Sequence, residues 1–275
     1  MLCCCAGGKI RRKMKILAVV CGPTHPTMEA LSGSFVTRIT SSIRTSIDNK
    51  NVERRLLQDI SWVTVEIFEG RNTLASVPIH GIDAIIISGS RFNITEGHEW
   101  VEVASEWIRQ HFTKVPMLGI CFGHQLIAHA LGGEVAFNPR GAEFGTFEVW
   151  RTESTKEMAL NDPLVKYTPV RMLVQEAHFQ TILRLPTGSV GFYESERDSY
   201  QIVRFGELVY GLQFHPEYDV ASMRLMAELV PIFRDSRETA MEYLRGLKDA
   251  TPEATGLVAS FLGLVVDKRA LRHKL

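Results

Sequence analysis

The sequence predicts an α/β fold: a central, mostly parallel sheet flanked by helices, with an added region of antiparallel strands. Up to residue 131, strand-like runs of apolar or alternating residues, bounded by Gly and Pro, alternate with segments of helical periodicity. This order is typical of a parallel sheet covered by helices on both faces. From residue 134 to residue 214 the segments are short, alternating and interrupted by turn residues, which indicates mainly antiparallel strands. The 275 residues fit one large domain better than two.

The strands and helices are predicted from the period of their apolar residues. The run GIDAIIIS at residues 81–88 is largely β-branched, as expected of a strand buried on both faces. Trp100, Ala104 and Trp107 recur at helical spacing and indicate a helix with one apolar stripe. Strands are predicted at residues 15–21, 61–68, 81–88, 115–120 and 208–214. Helices are predicted at residues 29–48, 96–112, 122–131, 218–233 and 239–262, the last with a break near Thr251-Pro252.

Three segments are predicted along the chain: a flexible tail at residues 1–13, one domain at residues 14–236 and a helical extension at residues 237–275. The tail has no hydrophobic period and carries three adjacent cysteines near several cations. A solvated tail is the simplest interpretation. The alternative is S-palmitoylation of these cysteines, which together with the basic residues would attach the protein to a membrane. The cysteines concerned are Cys3, Cys4 and Cys5.

The amino-acid composition argues against several classes of function. The net charge is zero, which gives no support for nucleic-acid binding through the body of the fold. The five cysteines are odd in number and show neither metal-ligand nor disulfide-framework spacing, so we predict a reducing, cytoplasmic environment and no metal. No cofactor is predicted. No apolar run approaches the roughly 20 residues that a membrane-spanning helix needs.

A candidate nucleophile lies between a predicted buried strand and a predicted helix. Residues 119–123 read Gly-Ile-Cys-Phe-Gly, the pattern of a nucleophile on a sharp strand-to-helix turn with a glycine on each side. At the start of a helix, free N–H groups and the helix dipole favour the thiolate of Cys121. The N–H of Phe122 is expected to point to where an oxyanion would form. The alternative is a buried, inert cysteine in an ordinary turn.

A candidate base follows the last predicted strand. Residues 215–217 read His-Pro-Glu, and residues two apart on an extended chain point the same way. His215 and Glu217 are therefore expected to face one pocket from a single strand end. A thiol nucleophile needs a base that takes and returns a proton, and that base needs a third group to fix its tautomer. Cys121, His215 and Glu217 thus form a predicted catalytic triad.

The segments VPMLGICFGHQLIAHALGG and GLQFHPE resemble those of class I (triad-type) glutamine amidotransferase domains, and more narrowly the free-standing, GMP-synthase-like subgroup. The resemblance covers residues 14–233 and implies a flavodoxin-like arrangement of the sheet. It also implies that Cys121 forms a γ-glutamyl thioester. Implied oxyanion donors are the N–H groups of Phe122 and Ser90. Implied substrate contacts are Gly89, Gln125, His178 and Phe179.

Two positions depart from the family pattern. Arg91 stands where the oxyanion loop usually has a proline, and the loop at residues 176–180 reads Glu-Ala-His-Phe-Gln without the usual Gly or Asp after the histidine. We therefore predict weak turnover of free glutamine. The chain also lacks an ATP-binding signature. It is expected either to donate ammonia to a separate synthase partner or to act alone on a small γ-glutamyl compound.

Two other function classes compete with amide hydrolysis. A ThiJ/PfpI-type enzyme also places a nucleophilic cysteine on an α/β sheet, but such enzymes lack a strand that ends in Phe-His-Pro-Glu. A non-catalytic binding or regulatory protein could keep the same fold, but all three triad residues are present here. The sequence therefore favours cysteine-dependent hydrolysis of the γ-amide of glutamine or of a γ-glutamyl compound.

Overall fold

The structure is a computed structural model and describes residues 13–48, 60–68, 74 and 77–272. The tail predicted at residues 1–13, with Cys3, Cys4 and Cys5, lies almost wholly outside these residues. The strands are β1 Met14–Val20, β2 Ile60–Glu66, β3 Ala84–Ile87, β4 Met117–Ile120, β5 Glu134–Phe137, β6 Glu143–Arg151, β7 Arg171–His178, β8 Gln180–Arg184, β9 Val190–Glu194, β10 Ile202–Gly206 and β11 Val209–Leu212. The helices are α1 Pro26–Ser32, α2 Phe35–Asp48, α3 Glu99–His111, α4 Phe122–Ala130, α5 Lys156–Asn161, α6 Val220–Leu229, α7 Pro231–Arg234, α8 Arg237–Gly246, α9 Pro252–Thr255 and α10 Leu257–Arg272.

The described strands form a nine-stranded sheet in the order β2-β1-β3-β4-β11-β10-β9-β6-β7, and β5 pairs with β8 in a small second sheet. Pairing is parallel from β2 to β11 and antiparallel from β11 to β7. The prediction of a mostly parallel central sheet with an added antiparallel region is confirmed. The carboxyl ends of β3 and β4 lie side by side in this sheet, which is where an open α/β sheet places its ligands.

Two apolar layers cover the central sheet, because the β-branched strands alternate their side chains between the faces. Ile85 and Ile87 pack with the layer of α3 and α4, whereas Ile86 packs with the layer of α2 and α10. The side chains of both layers are shielded from solvent, as the buried rings of Trp107 on α3 and Phe261 on α10 show. Burying these faces supplies the main stabilisation of the sheet.

The single helix predicted at residues 29–48 is wrong: α1 and α2 are separate. Gly33 between them has φ +77, a left-handed conformation that a helix interior does not allow. The Ser34 hydroxyl then accepts the N–H of Thr37 at 3.3 Å and starts the next helix. This break turns α1 away from the sheet, so that it lines the cavity described below.

The C-terminal segment packs on the main core. The predicted break near Pro252 is confirmed, since α8 ends at Gly246 and α9 begins at Pro252. The last helix runs to Arg272, ten residues past the predicted end. The ring of Phe261 lies 6.5 Å from that of Tyr210 on β11, centroid to centroid. No helix in the described ranges is long and apolar enough to cross a membrane.

Candidate active site

Cys121 sits on the predicted sharp turn between β4 and α4. Its backbone has φ 50 and ψ −104, and it is the one non-glycine residue with positive φ in the described part of the chain. A Cβ on Gly119 would lie 2.4 Å from the carbonyl of Gly123, and one on Gly123 would lie 2.4 Å from the carbonyl oxygen of Ile87. No real side chain tolerates such contacts. The two glycines are therefore a steric requirement of the turn that presents the thiol.

The N-terminus of helix α4 lies next to the thiol of Cys121. Phe122 is the first residue of α4, so its N–H has no partner within the helix. The N–H of Gly123 donates to Ser88 O at 3.1 Å, which ties the turn to the loop after β3. The partial positive charge at a helix N-terminus favours a thiolate, and the Phe122 N–H is available to an oxyanion next to it.

His215 and Glu217 form a buried pair beside the nucleophile. Nδ1 of His215 lies 2.9 Å from Oε1 of Glu217, and the two side chains are 5% and 2% exposed. Strand β11 ends at Leu212, before His215, so the predicted strand end at residue 214 is wrong. A turn, with the Tyr218 N–H donating to His215 O at 3.3 Å, brings the carboxylate to the imidazole. Proline at position 216 suits such a turn.

The electrostatics of this pair favour an imidazolium. Burial by itself lowers the pKa of His215, but the attraction of Glu217 and Cys121 outweighs it and raises the pKa well above the ordinary 6.5. The ring of Tyr218 stacks on that of His215 with centroids 4.2 Å apart and planes 7° apart, which fixes the plane of the imidazole. A proton held on His215 and a nearby thiol at a helix N-terminus are the conditions for an ion pair.

The loop after β3 brings Gly89 against the triad. A Cβ on Gly89 would lie 2.8 Å from Cε1 of His215 and 3.6 Å from Cβ of Cys121, so backbone without a side chain is required there. The Ser90 hydroxyl turns away and donates to Cys21 O at 2.8 Å, while it accepts the N–H of Phe92 at 3.1 Å. Its backbone N–H as the second oxyanion donor stays a prediction.

The predicted substrate contacts occupy the wall beside the nucleophile. Gln125 is buried, and its amide donates to Gln180 O at 2.7 Å and to Gln213 Oε1 at 3.0 Å. Nδ1 of His178 lies 2.9 Å from Gln180 O. Both side chains therefore brace the wall, and Ala177 O, 3.9 Å from Sγ of Cys121, is the carbonyl of this turn that meets the thiol.

Phe179 differs from its neighbours because it is 43% exposed and packs edge-on against Phe144 with centroids 4.9 Å apart. It lies at the rim of the site. The roles of Gln125, His178 and Phe179 in substrate binding stay predictions.

A buried polar network behind this wall was not predicted. Nε2 of His178 lies 3.1 Å from Glu143 and 3.3 Å from Glu176, and all three side chains are almost fully buried. Burial lowers the pKa of His178, but the two carboxylates outweigh it and raise the pKa well above 6.5. The three residues offer ligand atoms within 4.8 Å of one another. With its ring nitrogen within reach of both carboxylates, His178 forms a buried ion-paired support behind the wall.

Gln213 and Tyr218 were also missed. The amide of Gln213 donates to Sγ of Cys121 at 3.7 Å, and Tyr218 stacks on His215. The period of a strand is the signal for Gln213, which lies two residues before His215 and so shares its side of an extended chain. Nothing local in the sequence marks Tyr218.

The triad opens into a cavity of about 560 Å³. Its floor holds Cys121, His215 and Glu217, and its walls come from α1, α2, the loop after β3, the turn between β7 and β8, and the α6–α7 junction. The volume lies in the range of about 300–1,000 Å³ that is typical of small-molecule sites. The cavity has room for more than a single amino acid.

Known proteins carry the same fold and related sequences. A glutamine-hydrolyzing GMP synthase subunit of Halobacterium salinarum is 29% identical over 171 residues, 61% of this chain and 82% of the relative. Gamma-glutamyl peptidase 5 of Arabidopsis thaliana is 26% identical over 171 residues, 58% of this chain and 66% of the relative. The crystal structure of a glutamine amidotransferase from Thermotoga maritima superposes with a TM-score of 0.62 at 21% identity, over 94% of this chain and all of the other.

The model of the family described as "Glutamine amidotransferase class-I" matches residues 39–226. That range includes the cysteine turn, the His-Pro-Glu segment and the walls between them, and it exceeds half of the chain. The prediction of a glutamine amidotransferase-type enzyme is confirmed at the level of the family. The chain belongs to the class-I glutamine amidotransferases.

Proposed function

We propose that this chain hydrolyses γ-glutamyl amide bonds through a γ-glutamyl thioester on Cys121. The observation that carries the proposal is the arrangement of three groups in one cavity: a cysteine on a strained turn at a helix N-terminus, a histidine beside it, and a glutamate 2.9 Å from that histidine. This is the order nucleophile, base and orienting carboxylate that covalent amide hydrolysis requires.

In the first half-reaction the Cys121 thiolate attacks the γ-carbonyl carbon. The resulting oxyanion is held by the N–H of Phe122 and by the loop at Gly89 and Ser90. Collapse breaks the C–N bond, and His215 gives its proton to the departing nitrogen, which leaves as ammonia or an amine. The γ-glutamyl group remains on sulfur.

In the second half-reaction neutral His215 takes a proton from water as the oxygen attacks the thioester carbonyl. The C–S bond then breaks, glutamate leaves, and the imidazolium and thiolate are restored. Glu217 holds the ring through Nδ1, so it orients the base and takes no proton itself. One water is consumed for each amide bond cleaved.

The substrate is proposed to be a γ-glutamyl compound larger than glutamine. The cavity of about 560 Å³ has room for a substituent on the amide nitrogen. The plant relative is by name a γ-glutamyl peptidase. Arg91 in place of a rigid proline in the oxyanion loop favours weak turnover of free glutamine, because loss of one oxyanion donor costs on the order of 10²–10³ in rate.

Ammonia donation to a synthase partner is the other use of the same chemistry. The archaeal relative is by name one subunit of a glutamine-hydrolyzing GMP synthase. In that arrangement the leaving group is ammonia and the partner binds near the cavity. Both uses share the thioester and differ only in the leaving group.

Release of glutamate from glutamine and from a panel of γ-glutamyl dipeptides tests the proposal. The purified protein should release glutamate from at least one of them, and Cys121→Ala should abolish this release. Cys21→Ala is the matched control, because Cys21 is also buried but lies outside the triad. Absence of release from every compound would favour the non-catalytic binding protein, and full activity in Cys121→Ala would rule out the triad.

A further inference from the structure

Arg38 on α2 is a buried cation that lines the catalytic cavity. It is only 7% exposed. Nη1 donates to Gly33 O at 2.5 Å and Nη2 donates to the Thr24 hydroxyl at 3.5 Å, while Nε is buried without a hydrogen-bond partner. These acceptors are neutral, and no carboxylate of the described residues lies within 4.0 Å of its nitrogens.

An unpaired buried guanidinium needs an explanation. Taking a charge out of water costs several kcal/mol unless an opposite charge compensates it. Arg204 obeys this rule: it is a third exposed and pairs with the buried Asp162 at 2.9 Å. Arg38 is more buried than Arg204 and has no such partner. Its unpaired charge and its position on the cavity wall indicate that the missing anion is part of a ligand.

The position of Arg38 indicates which part of a substrate it would contact. Its Cζ lies 5.8 Å from the ring centroid of Tyr218, and the same ring stacks on the imidazole of His215 with centroids 4.2 Å apart. His215 is the group that protonates the leaving nitrogen in the proposed reaction. Arg38 therefore lies near the proposed proton donor, whereas the γ-glutamyl group is proposed to contact the wall at Gln125 and Ala177.

The distances suit a short leaving group. The guanidinium lies no more than about 10 Å from the centre of the His215 ring, and an extended residue spans at most about 3.6 Å. A leaving group of one or two amino-acid residues thus brings a terminal carboxylate within reach. The ring of Tyr218 lies close to the guanidinium, and planar guanidinium groups bind carboxylates through paired hydrogen bonds.

We propose that Arg38 binds the free carboxylate of the amine leaving group, so that the preferred substrates are γ-glutamyl amides of amino acids or dipeptides. This inference rests on the proposed γ-glutamyl hydrolysis and adds the chemical class of the leaving group. It separates such substrates from free glutamine, whose leaving group is ammonia and carries no carboxylate.

Arg38 also braces α1, since it donates to the carbonyl of Gly33 at the end of that helix. A purely structural role would affect all substrates equally. The test is therefore a ratio: kcat/KM for γ-glutamyl-alanine divided by kcat/KM for γ-glutamyl-alanine amide, which differ only in the terminal charge. Folding defects cancel in this ratio.

The wild-type protein should favour the acid over the amide by about tenfold to a hundredfold, the size of a charge-assisted hydrogen bond. Arg38→Gln should bring the ratio close to one, and Arg38→Lys should restore part of it. Arg44→Gln is the matched control, because Arg44 lies on the same helix and is exposed. The same ratio in wild type and Arg38→Gln, or no preference in the wild type, would overturn the inference.

A binding measurement separates this inference from the proposed function. In the Cys121→Ala protein, calorimetry should show tighter binding of γ-glutamyl-alanine than of its amide, and Arg38→Gln in that background should remove the difference. Preferential binding without turnover in the wild type would support the carboxylate site and contradict the hydrolase. Turnover without any preference between acid and amide would support the hydrolase and contradict the carboxylate site.

Discussion

The buried pair of His215 and Glu217 makes the pH dependence of this enzyme predictable. Glu217 raises the pKa of His215, so the imidazolium that protonates the leaving group persists through neutral pH. Activity should fall as the pH rises through that raised pKa, because neutral His215 has no proton to give. In Glu217→Gln the attraction is lost and the pKa of His215 falls. The alkaline limb of kcat/KM should therefore move to lower pH.

The size of the shift follows from the geometry. Opposite charges 2.9 Å apart attract by roughly 6 kcal/mol at an effective dielectric constant of about 20. One pKa unit corresponds to about 1.36 kcal/mol. The glutamine amide keeps a hydrogen bond to Nδ1, which offsets part of the loss, and shifts caused by a neighbouring charge are usually about 1–3 units. We expect the alkaline limb to move down by about 1–3 pH units, with lower kcat.

Two assays check this shift. Glutamate release from a γ-glutamyl dipeptide gives kcat/KM across the pH range, and the alkylation rate of Cys121 by iodoacetamide reports the same ion pair without turnover. Glu207→Gln is the control, since Glu207 is 81% exposed in its side chain and pairs with Lys268 away from the cavity. An alkaline limb at the same pH in wild type and Glu217→Gln would refute the assigned role of the carboxylate.

The remaining predictions concern the turn, the second thiol and the buried network. Gly123→Ala should lower the free energy of unfolding by about 2–4 kcal/mol, because the new Cβ meets Ile87 O at 2.4 Å; an unchanged urea midpoint would contradict this steric argument. A γ-glutamyl diazoketone should label Cys121 and spare Cys21, whose thiol pKa burial raises, as peptide mass spectrometry would show. Burial raises the pKa of Glu176 to about 7 from 4.5, so unfolding releases a proton and wild-type stability falls as pH rises through this window. Glu176→Gln should lose less stability than wild type as the pH rises from 4.5 to 7, as measured by urea titration, and parallel stability curves would argue against a raised pKa of Glu176.

Local patterns were enough to predict the sheet and the sharp turn that carries Cys121. The strands at β3 and β4 are predictable because a strand buried on both faces needs continuous apolar residues. The turn at Cys121 is predictable because only glycines fit where helix, strand and loop meet within 2.4 Å. The helix at residues 29–48 was wrong because one glycine with positive φ interrupts a pattern that otherwise continues.

The sequence by itself determined the fold class and the family resemblance, and it predicted Cys121, His215 and Glu217 as the catalytic triad, since each depends on residues that are close along the chain. The tertiary structure alone decided what surrounds them. Tyr218 stacks on His215, and Arg38 from a helix 180 residues earlier reaches that ring. Burial, charge pairing and cavity shape each depend on contacts between segments that are distant in sequence. The local pattern of apolar and polar residues does not show which of these segments come into contact.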